Sequence, residues 1–140
     1  STYGGHPVAA AVALETLKIY EERDIIGHVR SVMGQFSDRM QKLGEHPLVG
    51  NARSCGLMGA LELMKDKDGK VPFEASQKVG PAAEGRCLEN GLIVRAIGDN
   101  LAFCPPLITT SAELDEIFDI AEKSLDEAEA WVNDNGLRAT

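Results

Sequence analysis

The sequence predicts an α/β domain of the α+β kind, a small and mostly antiparallel or mixed sheet covered on one face by helices. Three observations carry that prediction. β-rich runs come in pairs joined by tight turns, which suits antiparallel neighbours better than long crossovers. Stretches with apolar residues three and four apart separate those pairs. The chain has 140 residues, 44% apolar and 26% charged, the profile of one globular domain that buries a core without staples.

The elements follow in order. Ser1-Thr2-Tyr3-Gly4-Gly5-His6-Pro7 is a loop that runs into a helix start, with Pro7 in the first turn, where its missing N–H is no loss. The helix through Val8 to Glu22 opens on Ala9-Ala10-Ala11-Val12-Ala13-Leu14, small and apolar all round. Such a helix is usually buried on several sides, and a free-standing domain seldom puts one at its end. A partner surface beyond this chain is therefore expected. A second helix spans Asp24 to Leu43, with Ile26, Val29, Met33, Phe36, Met40 and Leu43 as its apolar stripe, Asp24 as N-cap and Gly44 as stop. Leu48 to Arg53 and Leu57 to Met64 read as two short strands, followed by a charged turn over Lys65 to Lys70.

A third helix is expected from Glu74 to Asn90, kinked or broken at Pro81. Leu92 to Ala96 and Leu101 to Cys104 form the last hairpin around Gly98-Asp99-Asn100, and Pro105 and Pro106 stop its second strand. Thr110-Ser111-Ala112-Glu113 is a capping signal for the final helix, whose buried face holds Leu114, Ile117, Phe118, Ala121, Leu125, Ala128 and Trp131.

Charge and cysteine usage exclude several functions. The net charge is −8, and the 14 Lys and Arg residues are scattered, so nucleic-acid binding is disfavoured. No apolar run approaches the length of a membrane span, and no signal peptide is expected. Cys55, Cys87 and Cys104 form no Cys-x-x-Cys pair, which argues against a disulfide framework or zinc site and suits the cytoplasm. No two of His6, His28 and His46 lie three or four residues apart, so no helical metal pair is expected.

Two segments carry candidate chemistry. In Thr2-Tyr3-Gly4-Gly5-His6-Pro7 a hydroxyl, two glycines and a helix N-terminus can hold an anion; a tight turn feeding the helix is the plainer alternative. In Gly91 to Asp99, Arg95 interrupts an apolar strand just before a turn. Its guanidinium can offer a two-pronged fork to a carboxylate, or can rest with its head in water.

Motifs along nearly all of the chain resemble the class III (omega) aminotransferases. Thr2-Tyr3-Gly4-Gly5-His6-Pro7-Val8-Ala9 is similar to their Thr-Tyr-x-Gly-His-Pro-Val-Ala stretch. Leu48 to Arg53 with Gly56 to Leu63 resembles the strand pair that follows. Gly91 to Arg95 and Leu101 to Thr110 resemble the last hairpin and Pro-Pro segment. The sequence departs from many relatives at Ser54-Cys55 and at Gly4-Gly5.

The resemblance implies the C-terminal small domain of a fold type I enzyme that uses pyridoxal 5'-phosphate. Residues 1–24 would be the loop and linking helix from a large domain outside this chain. That large domain would carry the lysine that forms a Schiff base with the cofactor, so no catalytic residue is expected here. Lys18, Lys42, Lys65, Lys67, Lys70, Lys78 and Lys123 all read as solvated.

The resemblance further implies a homodimer, with Thr2 reaching the cofactor phosphate bound by the other subunit and Arg95 pairing with a substrate carboxylate. The implied activity moves an amino group from an amine or omega-amino acid to a keto acid such as pyruvate. The alternative is a stand-alone, non-catalytic module that binds a small anion or dimerises.

Overall fold

Capping chemistry sets the start of two helices in the computed structural model, whose description covers residues 4–138. Helix α1 (Pro7–Glu22) begins on its proline. Helix α2 (Ile25–Gly44) follows Asp24, whose carboxylate accepts the Gly27 N–H at 3.2 Å. Helix α4 (Ser111–Asp134) opens with a reciprocal cap, in which Thr110 Oγ1 accepts from the Glu113 N–H and the Glu113 carboxylate accepts from the Thr110 N–H at 2.7 Å. Strands β1 (Val49–Cys55) and β2 (Met58–Leu63), helix α3 (Val79–Glu89), and strands β3 (Arg95–Ile97) and β4 (Asn100–Phe103) complete the expected order.

The sheet is antiparallel throughout, in the order β1-β2-β4-β3. Its register separates two faces. Ala52, Leu61, Leu101 and Ala96 lie side by side in one row, and Leu61 and Leu101 are buried. This face meets the helices. Gly59 lets α2 come close, since a Cβ there would stand 2.8 Å from Met40 and 3.1 Å from Phe36. Helix α4 lies across α2 and α3 and inserts Phe118, whose ring is 5.3 Å from that of Phe36 and 6.1 Å from that of Phe103. Arg39 joins Asp115 and Asp119, and Lys42 joins Glu122, along the solvent edge of the α2–α4 contact. Exposed pairs of this kind contribute little next to the aromatic core.

Three expectations need correction. The stripe on α2 is Ile25, Val32, Phe36, Met40 and Leu43, while Ile26 and Met33 are exposed. The observed set keeps a pitch of about 3.6 residues per turn, whereas the alternation read from sequence implies about 3.4 and drifts off the core toward the N-terminus.

The single helix expected from Glu74 to Asn90 is instead a 3-10 turn, Ala75–Gln77, a left-handed Lys78 (φ 51°), and then α3. Pro81 falls in the first turn of α3. Its missing N–H would have no partner there in any case, so it sets where the helix begins rather than kinking it.

The strand expected over Leu92 to Ala96 is narrower and later, at Arg95–Ile97. Leu92 and Val94 bury their side chains without joining the ladder, because β4 stops at Phe103 ahead of the two prolines. Helix α1 has no buried residue, with Val8, Val12, Leu14 and Leu17 all exposed, so its apolar surface is left uncovered among the described residues, in line with the expected need for a partner surface.

Candidate functional site

The second face of the sheet points away from the helices. Across it run Arg53, Ala60, Ala102 and Arg95, one from each strand in the order β1-β2-β4-β3. The two small alanines leave a shallow floor between two arginines at opposite edges. Beside that row lie Asn51, Glu62, Asn100 and Ile97. A recess of about 330 Å³ opens at the β1–β2 end, lined by Arg53, Ser54, Cys55, Met58, Gly59 and Ala60. Arg95 is not part of that recess. Because the row is ordered by strand, it stands at the far edge of the same face.

The two arginines differ in employment. Arg53 Nη2 donates to Asn100 Oδ1 at 2.9 Å, and Nη1 lies 3.8 Å from Glu62. The Arg95 side chain is exposed and, among the described residues, has no hydrogen-bond or ion-pair partner. Arg23 and Arg30 are also unengaged, but they stand on the surface near the α1–α2 junction. Arg95 is thus the free guanidinium that a β-strand presents over an open sheet face, as a fork for a carboxylate requires.

Sequence reasoning missed the residues that fix the hairpin beneath it. Ala96 N–H donates to Glu84 Oε1 of α3 at 3.1 Å, and Gly80 N–H donates to Asp99 Oδ1 at 2.8 Å. No local pattern announces such bonds, although an acid on the sheet-facing side of a helix is a weak signal.

Thr2, singled out for an anion, lies outside the described residues. The helix it precedes starts without a capping bond from His6, so among the described residues the first-turn amides of α1 have no side-chain acceptor. None of the seven lysines is buried. Lys18, Lys42 and Lys123 pair with surface acids, and Lys67 donates to the Gly44 carbonyl at 2.6 Å. No cluster of three metal-ligating side chains occurs among the described residues. No helix of the described residues is long and apolar enough to cross a membrane. The Cys87 thiol is pushed above its ordinary value, mainly by burial. The Glu113 carboxyl is held below its own by the Thr110 N–H and hydroxyl.

A helix-backed antiparallel sheet with a free arginine on its open face gives a fold and a candidate fork for an anion, but not the family, which comparison with known proteins supplies. The sequence profile of the class-III aminotransferases matches residues 1–125. The chain belongs to the class-III aminotransferase family.

It is 44% identical over 132 residues to the putrescine–pyruvate aminotransferase of Pseudomonas aeruginosa, covering 94% of this chain and 29% of that protein. It is 41% identical over 116 residues to a probable mitochondrial gamma-aminobutyrate transaminase 3 of Oryza sativa subsp. indica, covering 83% and 23%. Among solved structures it superposes on the PMP-bound form of an aminotransferase from Vibrio fluvialis with a TM-score of 0.85 and 38% identity, covering 90% of this chain and 28% of that one. The chain therefore spans under a third of the length of these relatives. Class-III aminotransferases depend on pyridoxal phosphate, and solved relatives include both PLP-bound and PMP-bound forms.

Proposed function

We propose that residues 1–140 form the C-terminal small domain of a transaminase that moves an amino group from an amine or omega-amino acid to a keto acid such as pyruvate. Residues 1–24 are the loop and helix leading in from a large domain, and the exposed apolar surface of α1 supports that reading. The active unit is a homodimer in the cytoplasm, with the three free cysteines in keeping with a reducing compartment. Nothing in the geometry favours a stand-alone anion-binding or dimerisation module over this.

The described residues suit an accessory share of cofactor binding. With no lysine buried, the covalent attachment belongs to the large domain, and the uncapped start of α1 with Thr2 supplies donors for a phosphate from across the dimer interface. The cofactor, when bound, supplies the electron sink. This chain contributes the small domain, one phosphate contact and a carboxylate clamp.

The observation that carries the proposal is Arg95, free at the start of β3 on the open sheet face. Arg95→Ala in the full-length protein removes a fork that a keto acid or amino acid uses and a plain amine does not. Losing such a charged partner costs about 2–5 kcal/mol, or on the order of 30-fold or more in kcat/KM. The half-reaction with a simple amine should change far less. Both are followed in single turnover by the cofactor's absorbance. Equal losses for the two substrate classes would assign Arg95 to the fold instead.

A further inference from the structure

Strand β3 has three residues, lies at the edge of the sheet, and begins on Arg95. Among the described residues its only strand neighbour is β4, with Arg95 opposite Ala102, Ala96 opposite Leu101 and Ile97 opposite Asn100. The loop between the strands is two residues, Gly98-Asp99, with Gly98 at φ 59°. In an antiparallel hairpin closed this way, alternate residues turn their N–H groups toward the partner strand. Ile97 and Arg95 face β4, and the Ala96 N–H points off the free edge. Glu84 receives it: its Oε1 accepts from Ala96 N at 3.1 Å, in a partly buried position, from the third residue before Cys87 on the buried face of α3. The stretch before Arg95 forms no ladder that could hold it from the other side.

We propose that Glu84 is a positioning residue for Arg95. Its carboxylate fixes the peptide immediately after Arg95 to helix α3, and so sets the height and direction from which the guanidinium leaves the sheet. The side chain of Glu84 belongs to the helix layer, while Arg95 projects over the opposite face, so Glu84 acts through the backbone rather than on a substrate. This rests on the reading of Arg95 as the carboxylate clamp.

The experiment uses the full-length holoenzyme in four forms, namely wild type, Glu84→Ala, Glu84→Gln and Arg95→Ala. Single-turnover half-reactions are run with pyruvate and with a simple monoamine, and amide exchange is read at Ala96. Glu84→Ala is expected to weaken the apparent affinity for pyruvate about tenfold, leave the monoamine half-reaction within about twofold, and speed exchange at Ala96. Glu84→Gln keeps an acceptor oxygen and is expected to restore most of both. A purely structural role would depress both half-reactions alike and gain nothing from glutamine, and either result overturns the proposal. If Arg95→Ala is selective for pyruvate while Glu84→Ala is silent, the positioning role fails and the clamp stands. If Arg95→Ala is not selective, the clamp fails and the positioning role goes with it.

Discussion

Two glycines five residues apart on α3 should respond to alanine with opposite sign. Gly80 is buried and lies against the β3–β4 turn. A Cβ on it would stand 2.0 Å from the Gly98 carbonyl oxygen and 2.8 Å from Asp99 Cα, where ordinary contact begins at 3.4 Å. The obstacle is backbone, held by the Gly80 N–H to Asp99 bond at 2.8 Å and by the Leu63 N–H to the Asp99 carbonyl at 2.8 Å. Gly80→Ala must therefore push the hairpin and α3 apart by roughly an ångström or more, which strains or breaks those bonds. Overpacking costs about 1–3 kcal/mol, and an alanine in a helix returns at most about 1 kcal/mol of it. The net loss should lower the melting temperature by several degrees, at roughly 3–6 °C per kcal/mol for a domain of this size. Gly85, one turn and a half further along, has no atom within 4 Å of its Cβ position. Gly85→Ala should stabilise by about 0.5–1 kcal/mol. Thermal and urea denaturation of both variants beside the wild type is the assay. Gly80→Ala melting with Gly85→Ala would refute the claim that α3 rests backbone to backbone on the hairpin.

Two further outcomes follow from the titrating groups. Glu113 has its carboxyl lowered by Thr110, so its contribution is full above the ordinary glutamate range near about 4.3 and fades as pH falls through the lower folded value. The stability gap between wild type and Glu113→Gln should therefore shrink on acidification, and a gap constant from neutral to strongly acidic pH would show that the cap does not depend on the charge. Cys87 is buried with its thiol pushed up, whereas Cys55 and Cys104 are exposed. Iodoacetamide under mildly alkaline, folded conditions should label the exposed pair and reach Cys87 only on unfolding. Peptide mapping that finds Cys87 labelled as fast as the others would contradict the burial.

Local chemistry in the sequence was enough to place the element order, the caps at Asp24 and Thr110, the proline stop after β4 and the class of sheet. These depend on residues within one turn of each other. Most of the apolar stripe of α4 was legible too, because a 24-residue helix repeats its period often enough to define it; at its edges Ile117 and Trp131 are only half-buried, and Val132 is buried instead. The N-terminal half of α2 was not legible, since Ile25 and Val32 are each followed by a second apolar residue, Ile26 and Met33, and only packing chose between them.

Motifs that resemble a known family pointed to Arg95 and Thr2; composition alone left each with a plain alternative. Tertiary structure decided what the sequence could not: that Arg95 opens β3 and shares a sheet row with Arg53 across two alanines. It also decided that Arg53 is bound to Asn100, 47 residues away, while Arg95 has no partner among the described residues. It set Glu84 against Ala96 and Gly80 against Asp99, contacts that join a helix to a strand and turn formed 12 and 19 residues later. A one-dimensional pattern reports which face a side chain prefers. It does not report which distant group will meet that face, and here the Glu84 carboxylate of α3 meets the peptide that follows Arg95.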